Sequence, residues 1–288
     1  MPVEDFETHR QHLFSVAYRM LGSIADAEDM LQEAFLRWQK AASEEVRSVR
    51  SFLTTIVTRL CIDRLRSKKT AREEYIGPWL PEPLVSEART AEEQSELADS
   101  LSIAFLVLLE SLSPVERAVF LLREVFGFEF SEICGVIDKT ETNTRQIFSR
   151  ANKHLADRRA RFAVERQNQR RIFDEFMQAC QTGDMQQLLR LLADDATLYS
   201  DGGGQVTAAR RPIQTADHVA RFLLGIIKKA PDGLTMRPAT VNGSPGVVVE
   251  ADNRTYNVLT IEVSGNCISA VYIVNNPHKL QHVRTAGP

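Results

Sequence analysis

Between Glu141 and His154 the side chains able to recognise a polyanion gather on one side of a helical wheel. Thr144, Ile147, Ala151 and Leu155 form an inner stripe, which leaves Thr142, Asn143, Arg145, Gln146, Ser149, Arg150 and Lys153 facing outward or flanking. Amides and hydroxyls of this kind pair with base edges, and arginine and lysine pair with bases or phosphates. The helix follows a short segment, Ser131 to Ile137, and the break Asp138-Lys139-Thr140. Two helices joined by so short a turn read as a helix-turn-helix, whose second helix enters the DNA major groove. Arg158, Arg159 and Arg161 extend the positive charge beyond it. The competing reading is a solvated polar face on an ordinary helical bundle.

A second basic helix lies near the start of the chain. Arg50, Arg59, Arg64, Arg66, Lys68 and Lys69 are opposed there only by Asp63. No second helix-turn-helix accompanies it, so single-stranded DNA suits it better: cations track the phosphates while unstacked bases seek apolar surface. Phe52, at helical spacing, reads as core. The preceding helix opens with Asp26, Glu28 and Asp29 and closes with Arg37 and Lys40. That order complements the helix dipole and predicts an acidic, exposed end.

Catalytic and metal chemistry is poorly supplied. The four cysteines (Cys61, Cys134, Cys180, Cys267) form no CxxC spacing and the six histidines are spread widely, which argues against zinc or a disulfide framework and suits a reducing compartment. No metal ligands and no cofactor are assigned. Asp195, Tyr199, Asp201 and His218 are the candidates for a pocket acid or base, but their spacing makes no dyad. Gly202, Gly203 and Gly204 allow close backbone approach and expose amide donors, yet no GK[ST] follows, so a nucleotide loop is disfavoured. The glycines are instead expected to form a docking loop for a linker or for the N-terminal helices.

These residues must be positioned by about two or three domains, as 288 residues allow. With 43% hydrophobic and 25% charged residues the chain can bury real cores. The net charge of −3 hides an acidic stretch, 70–112, of net −7 between segments of net +1 and +4. Three prolines in Gly77 to Val85 forbid a continuous helix there. Trp79, Leu80 and Leu84 are too apolar to leave in water, so this linker is expected to dock on a surface. Helical spacing covers residues 1–69 and 101–165, and Ser113 to Glu116 carries a capping box with proline at the first helical position. From residue 168 to 283, helices at Ile172 to Thr182, Met185 to Leu192 and Asp217 to Lys229 are combined with strand signals. The strands fall at Thr197 to Ser200, Thr235 to Val241, Gly246 to Glu250, Thr255 to Val263 and Cys267 to Val274, which makes an α+β domain. The acidic N-terminus is unlike a signal peptide, and no apolar run reaches the roughly 20 residues that span a bilayer. A cytoplasmic protein without membrane partners is expected.

Three blocks, ADAEDMLQEAFLRW (Ala25 to Trp38), RSFLTTIVTRLCIDRLRS (Arg50 to Ser67) and SPVERAVFLLREVFGFEFSEICGVIDKTETNTRQIFSRA (Ser113 to Ala151), resemble regions two and four of extracytoplasmic-function sigma factors. The resemblance implies that Asp26, Glu28, Asp29, Gln32, Glu33 and Leu36 press against the clamp helices of core RNA polymerase. It implies that Arg59, Arg64, Arg66, Lys68 and Lys69, with Asp63 among them, melt and hold the single-stranded minus-ten promoter element. Thr142, Asn143, Arg145, Gln146, Ser149, Arg150 and Lys153 fall on the helix that reads the double-stranded minus-thirty-five element. Phe52 stands where tryptophan is common, and Asp138 where the turn usually has glycine; aspartate tolerates the left-handed conformation, so the turn is expected to survive.

The final domain resembles the SnoaL-like cone fold, and a sigma-factor subgroup carrying it is marked by WLPEPL, DGGGK and NPDKL motifs. Trp79, Leu80, Pro81 and Leu84 keep the first intact. Asp201, Gly202, Gly203 and Gly204 keep most of the second, and Asn276, Pro277 and Leu280 most of the third. Gln205 replaces the lysine and His278 the aspartate, which removes the charges that a salt bridge at those positions would use. The subgroup's extension stands in for a separate anti-sigma protein and tunes activity in cis. The fold class implied is multidomain, with two all-α sigma domains followed by an α+β cone domain. The function implied is a non-enzymatic transcription initiation factor, with a small ligand of the C-terminal domain left open. The alternatives are a ligand-sensing helix-turn-helix repressor and a small-molecule enzyme using the cone pocket.

Overall fold

The computed structural model describes residues 2–41, 48–68, 74–87, 101–159, 166–231, 233–252 and 254–283. The chain divides into two compact units, Met1–Glu73 with Leu108–Asp157, and Glu74–Val107 with Arg158–Pro288. Lys69 and Arg161, and the acidic run 88–100, lie outside the described residues.

The first unit is helical. α1 (Pro2–Leu21), α2 (Ile24–Ala41) and α3 (Val49–Ser67) bury Leu13, Ala17, Met20, Leu31, Trp38, Leu53, Val57 and Leu60. With Ala34 between Leu31 and Trp38, each set recurs at three- or four-residue intervals, so one stripe of every helix faces the others. Phe52 packs on Trp38 with ring centroids 5.7 Å apart, which spends its ring on the core. α4 (Ile103–Leu109) falls mostly within the second unit, and α5 (Pro114–Glu124), in the first, starts at a complete capping box between Ser113 and Glu116. Arg117 of α5 is 3% exposed and donates to the Met20 carbonyl and the Glu110 carboxylate, each at 2.7 Å. Burial lowers its pKa to about 10. A buried guanidinium is tolerable only when such acceptors replace water.

α6 (Phe130–Ile137) and α7 (Glu141–Arg159) make the helix-turn-helix. Phe130, Ile133 and Val136 of α6 pack with Ile147 of α7 and with Val119 and Leu122 of α5. The turn depends on Asp138, which has φ 54° and ψ 56° and donates its N–H to the Cys134 carbonyl. The left-handed region costs an ordinary L-residue about 1–2 kcal/mol, and aspartate less than most.

The second unit is a seven-stranded sheet in the order β1-β4-β5-β6-β7-β2-β3. The strands are β1 (Val85–Glu87), β2 (Leu192–Asp201), β3 (Ile213–Gln214), β4 (Thr235–Val241), β5 (Ser244–Ala251), β6 (Arg254–Ser264) and β7 (Cys267–Val274). Among the described residues only the β2–β7 pairing is parallel. One face packs on α8 (Arg166–Thr182), α9 (Met185–Leu191) and α10 (Ala216–Lys228), burying Phe176, Leu188, Val219 and Leu223 against Leu198, Ile261 and Val271. The other face buries Val241, Val248, Val258, Tyr272 and Val274 under Leu80, Ile103, Ala104 and Leu280. Alternation along the strands supplies both faces. β2 begins five residues before the expected strand because its first half runs directly from α9. A single-turn 3-10 helix, Pro277–Leu280, follows β7.

His12 joins α1 to α3 and to the loop after α5. Its Nε2 meets the Thr54 hydroxyl at 3.1 Å, and because that hydroxyl donates to the Arg50 carbonyl, the imidazole is the donor. Phe126 stacks edge-on at 5.3 Å. Burial, then the charges of Arg50, His9 and Arg19, lowers the His12 pKa from 6.5 to about 4. A depressed native pKa means that the unfolded chain binds the extra proton between these values. Stability from neutral His12 is therefore complete above pH 6.5 and lost as pH falls toward about 4. Urea unfolding of the full chain across that window is expected to show this loss, and His12→Gln to remove that part of the pH dependence. At the turn, Asp138→Val is expected to lower stability by about 1–2 kcal/mol relative to Asp138→Gly, measured the same way.

Candidate nucleic-acid interface and linker clamp

On α7 the geometry separates an inner stripe from an outer face. Thr144, Ile147, Ala151 and Leu155 are buried, whereas Thr142, Arg145, Gln146, Ser149, Arg150 and Lys153 are exposed and Asn143 is half-buried. Arg145 is pre-positioned by Glu141, whose carboxylate accepts from its Nη2 at 2.6 Å, and by the Phe130 ring 4.4 Å below its guanidinium. Such an exposed i, i+4 pair is weak and gives way readily to a phosphate or base.

The N-terminal cations are largely engaged by protein acceptors. Arg64 and Lys68 both bind Asp26, at 2.7 and 2.6 Å. Asp26 is only 7% exposed, and these two partners outweigh its burial and hold its carboxyl below the usual carboxylate range. Asp26 is thus not part of an exposed acidic end of α2, because it is the internal counter-charge of α3. Arg59 donates from Nε to the Val136 carbonyl at 2.9 Å and from Nη2 to that of Gly135 at 2.8 Å. A guanidinium at the C-terminal carbonyls of α6 also complements the helix dipole. Arg66 is exposed and meets Asp63 at 3.3 Å. On α2, Asp29, Gln32 and Leu36 remain open at i, i+3 and i+7, with Leu36 52% exposed, while Glu28 pairs with Arg10 and Glu33 with Arg37.

In the second unit the candidate linker and loop residues converge on one buried carboxylate. Asp201, at the end of β2, is 0% exposed. It accepts hydrogen bonds from the Tyr75 hydroxyl (2.6 Å), the Leu80 amide (2.8 Å), the Lys279 ammonium (2.7 Å) and the Gly203 amide (3.1 Å). Lys279 also donates to the Leu80 carbonyl and lies over the rings of Trp79 (4.3 Å) and Tyr75 (5.0 Å). Asn276 donates to the Tyr75 oxygen at 2.9 Å, and burial, then Asp201, raises the Tyr75 pKa. Pro277 is exposed, while Pro81 and Leu280 are buried and Leu84 is half-buried. Gln205 and His278 are both exposed, and the ion pair that forms uses Asp201 and Lys279 instead.

The glycines are set by close approach. A Cβ on Gly203 would lie 2.1 Å from Asn276 Nδ2 and 3.0 Å from the Tyr75 oxygen, and one on Gly204 would lie 2.9 Å from Ile76 Cδ1. One on Gly202 would meet Ala208 at 2.7 Å. At the far end of the linker, Asn242 (φ 51°) bonds the Leu84 amide and carbonyl and donates to the Leu101 carbonyl. Tyr75, Asn242 and Lys279 had not been singled out from sequence. The signals available were an aromatic residue just upstream of Trp79 and an asparagine-glycine turn between two strands.

The pocket candidates for acid–base chemistry are scattered. Tyr199 stacks on Tyr272 at 5.4 Å, Asp201 belongs to the linker cluster, Asp195 is exposed, and His218 bonds Thr215 and the Gln214 carbonyl at the start of α10. Among the described residues no group of three or more His, Cys, Asp or Glu could hold a metal ion, and no helix is long and apolar enough to cross a membrane.

Residues 6–71 match Sigma-70 region 2 and residues 102–155 match Sigma-70, region 4. The chain is 37% identical over 251 residues to the ECF RNA polymerase sigma factor SigJ of Mycobacterium tuberculosis, covering 85% of this chain and 80% of SigJ. It is 29% identical over 282 residues to the probable ECF RNA polymerase sigma factor SigI of the same species, covering 97% and 94%. The crystal structure of SigJ is similar with a TM-score of 0.77 and 33% identity, over 96% of this chain and 97% of that one. Two helical sigma regions with a helix-turn-helix, followed by an α+β sheet domain that is SnoaL-like, therefore account for the whole architecture, and the chain belongs to the ECF sigma factors, which direct core RNA polymerase to promoters.

Proposed function

We propose that promoter choice rests on α7, with Asn143, Arg145, Gln146, Ser149 and Arg150 reading the minus-thirty-five duplex and Thr142 and Lys153 flanking them. Arg59, Arg64, Arg66, Lys68 and Lys69 hold the minus-ten strand. Glu28, Asp29, Gln32, Glu33 and Leu36 meet the polymerase clamp, while Asp26 orients Arg64 and Lys68. The segments assigned to these roles are 1–69, 70–100, 101–165 and 168–283, with residues 74–107 folded into the C-terminal unit, and the site of action is the cytoplasm. No catalytic role is assigned to the cone domain.

The observation that carries the reading is the bonding of Arg59 to the carbonyls of Gly135 and Val136. It describes a closed form of the sigma regions, in which a minus-ten cation is occupied by the helix-turn-helix itself. Promoter engagement then requires these bonds to break. The C-terminal domain tunes that step in cis through the linker clamp, since Trp79, Leu80, Pro81 and Leu84, docked by Asp201, Gly202, Gly203, Gly204, Asn276, Pro277 and Leu280, belong to the segment between the two sigma regions. A tethered contact acts at an effective concentration near millimolar, so modest changes in docking are felt.

Run-off transcription with core polymerase tests the assignments. Arg145→Ala and Arg150→Ala are each expected to lose about 1–3 kcal/mol of promoter binding, roughly 5- to 150-fold. Arg59→Ala should reduce strand opening, read by permanganate footprinting, without changing recognition of the minus-thirty-five duplex. Lys279→Met strands the Asp201 carboxylate and should destabilise the C-terminal unit by about 3–5 kcal/mol. If Lys279→Met then transcribes indistinguishably from the parent chain, regulation in cis is wrong.

A further inference from the structure

A cavity of about 390 Å³ opens beside the linker clamp, lined by Ile76, Ser200, Gln205, Val206, Thr207 and Arg210. Its volume falls in the range of small-molecule sites, roughly 300–1,000 Å³. It contains one charged lining residue, Arg210, which is exposed and makes no ion pair with any described residue. The neighbouring carboxylate, Asp201, is already neutralised by Lys279.

The polar wall is rich in donors. Ser200 is 3% exposed and accepts from Asn275 Nδ2 at 2.8 Å, which leaves its own proton undonated among the described residues. A buried hydroxyl with an unspent proton on a cavity wall favours an acceptor in the cavity. Thr207 and Gln205 add exposed donors. The opposite character is supplied by Ile76 and Val206, which are 57% and 41% exposed although large and apolar. Two such side chains at one cavity mark a binding surface more than isolated ones would.

We propose that this cavity binds a small organic carboxylate, its charge paired with Arg210 and the Ser200 hydroxyl and its apolar body against Ile76 and Val206. Arginine suits carboxylates because its planar fork donates two parallel hydrogen bonds. Ile76 is the residue after Tyr75, and a Cβ on Gly204 would lie 2.9 Å from its Cδ1, so an occupant fastens the linker to the glycine loop. Occupancy stabilises the docked linker by mass action. That regulatory consequence rests on control in cis through the linker clamp; the binding itself does not.

The test is isothermal titration calorimetry on the full-length protein with benzoate, its neutral isostere benzamide, and inorganic phosphate. Saturable 1:1 binding of benzoate is expected, weakened about tenfold or more by Arg210→Gln and also by Ile76→Ser, with benzamide and phosphate bound far less well. Both side chains are exposed, and unchanged circular dichroism would show that the variants fold. Absence of saturable benzoate binding at millimolar concentration would overturn the proposal. So would benzamide binding as well as benzoate, phosphate binding as well as benzoate, or Arg210→Gln binding like the parent chain. None of these results depends on transcription, so failure of this site and failure of regulation in cis are told apart.

Discussion

A carboxylate without solvent contact must be compensated in full, and in the C-terminal unit that requirement falls on Asp201. Removing a charge from water costs several kcal/mol after relaxation, and an ion pair offsets this only when the remaining lone pairs are also bonded. Asp201 meets the condition with an ammonium, a phenol and two backbone amides. The four donors come from three parts of the chain. Tyr75 and Leu80 come from the linker, Gly203 from the loop after β2, and Lys279 from the 3-10 helix after β7. The three segments are therefore mutually dependent, and the glycines follow from the same constraint, because side chains there would separate the donors from their acceptor.

The helical unit solves a related problem with the opposite sign. Several of its cations are held by protein acceptors: Arg64 and Lys68 by Asp26, Arg59 by two α6 carbonyls, Arg117 by Glu110 and the end of α1. Arg59 is exposed and the Arg64 and Lys68 side chains keep 35% and 39% of their exposure, so these three remain exchangeable. Arg117, at 3% exposure, is structural.

The periodic features were legible in the sequence because spacing alone carries them. The capped start of α5, the turn at Asp138, the inner stripe of α7 and the strands Thr235–Val241 and Cys267–Val274 follow from local chemistry. Docking of the linker was foreseeable from Trp79 and Leu80, which water would not tolerate. The partners were not legible, because they depend on contacts between residues far apart in the chain. Asp26 looks like any first-turn acid until α3 brings Arg64 and Lys68 against it, and Lys279 looks like any surface lysine until the 3-10 helix brings it to Asp201.

The strand β1 pairs with β4 at the sheet edge, and Asn242 grips the linker on either side of the acidic run. The C-terminal fold is consequently discontinuous: one of its strands and part of its apolar cover are encoded upstream of the helix-turn-helix. Such an appendage cannot be moved between proteins as a simple tail. A chimaera, or a recombination event in evolution, would have to carry both gene fragments together or leave a raw sheet edge and an uncovered apolar face.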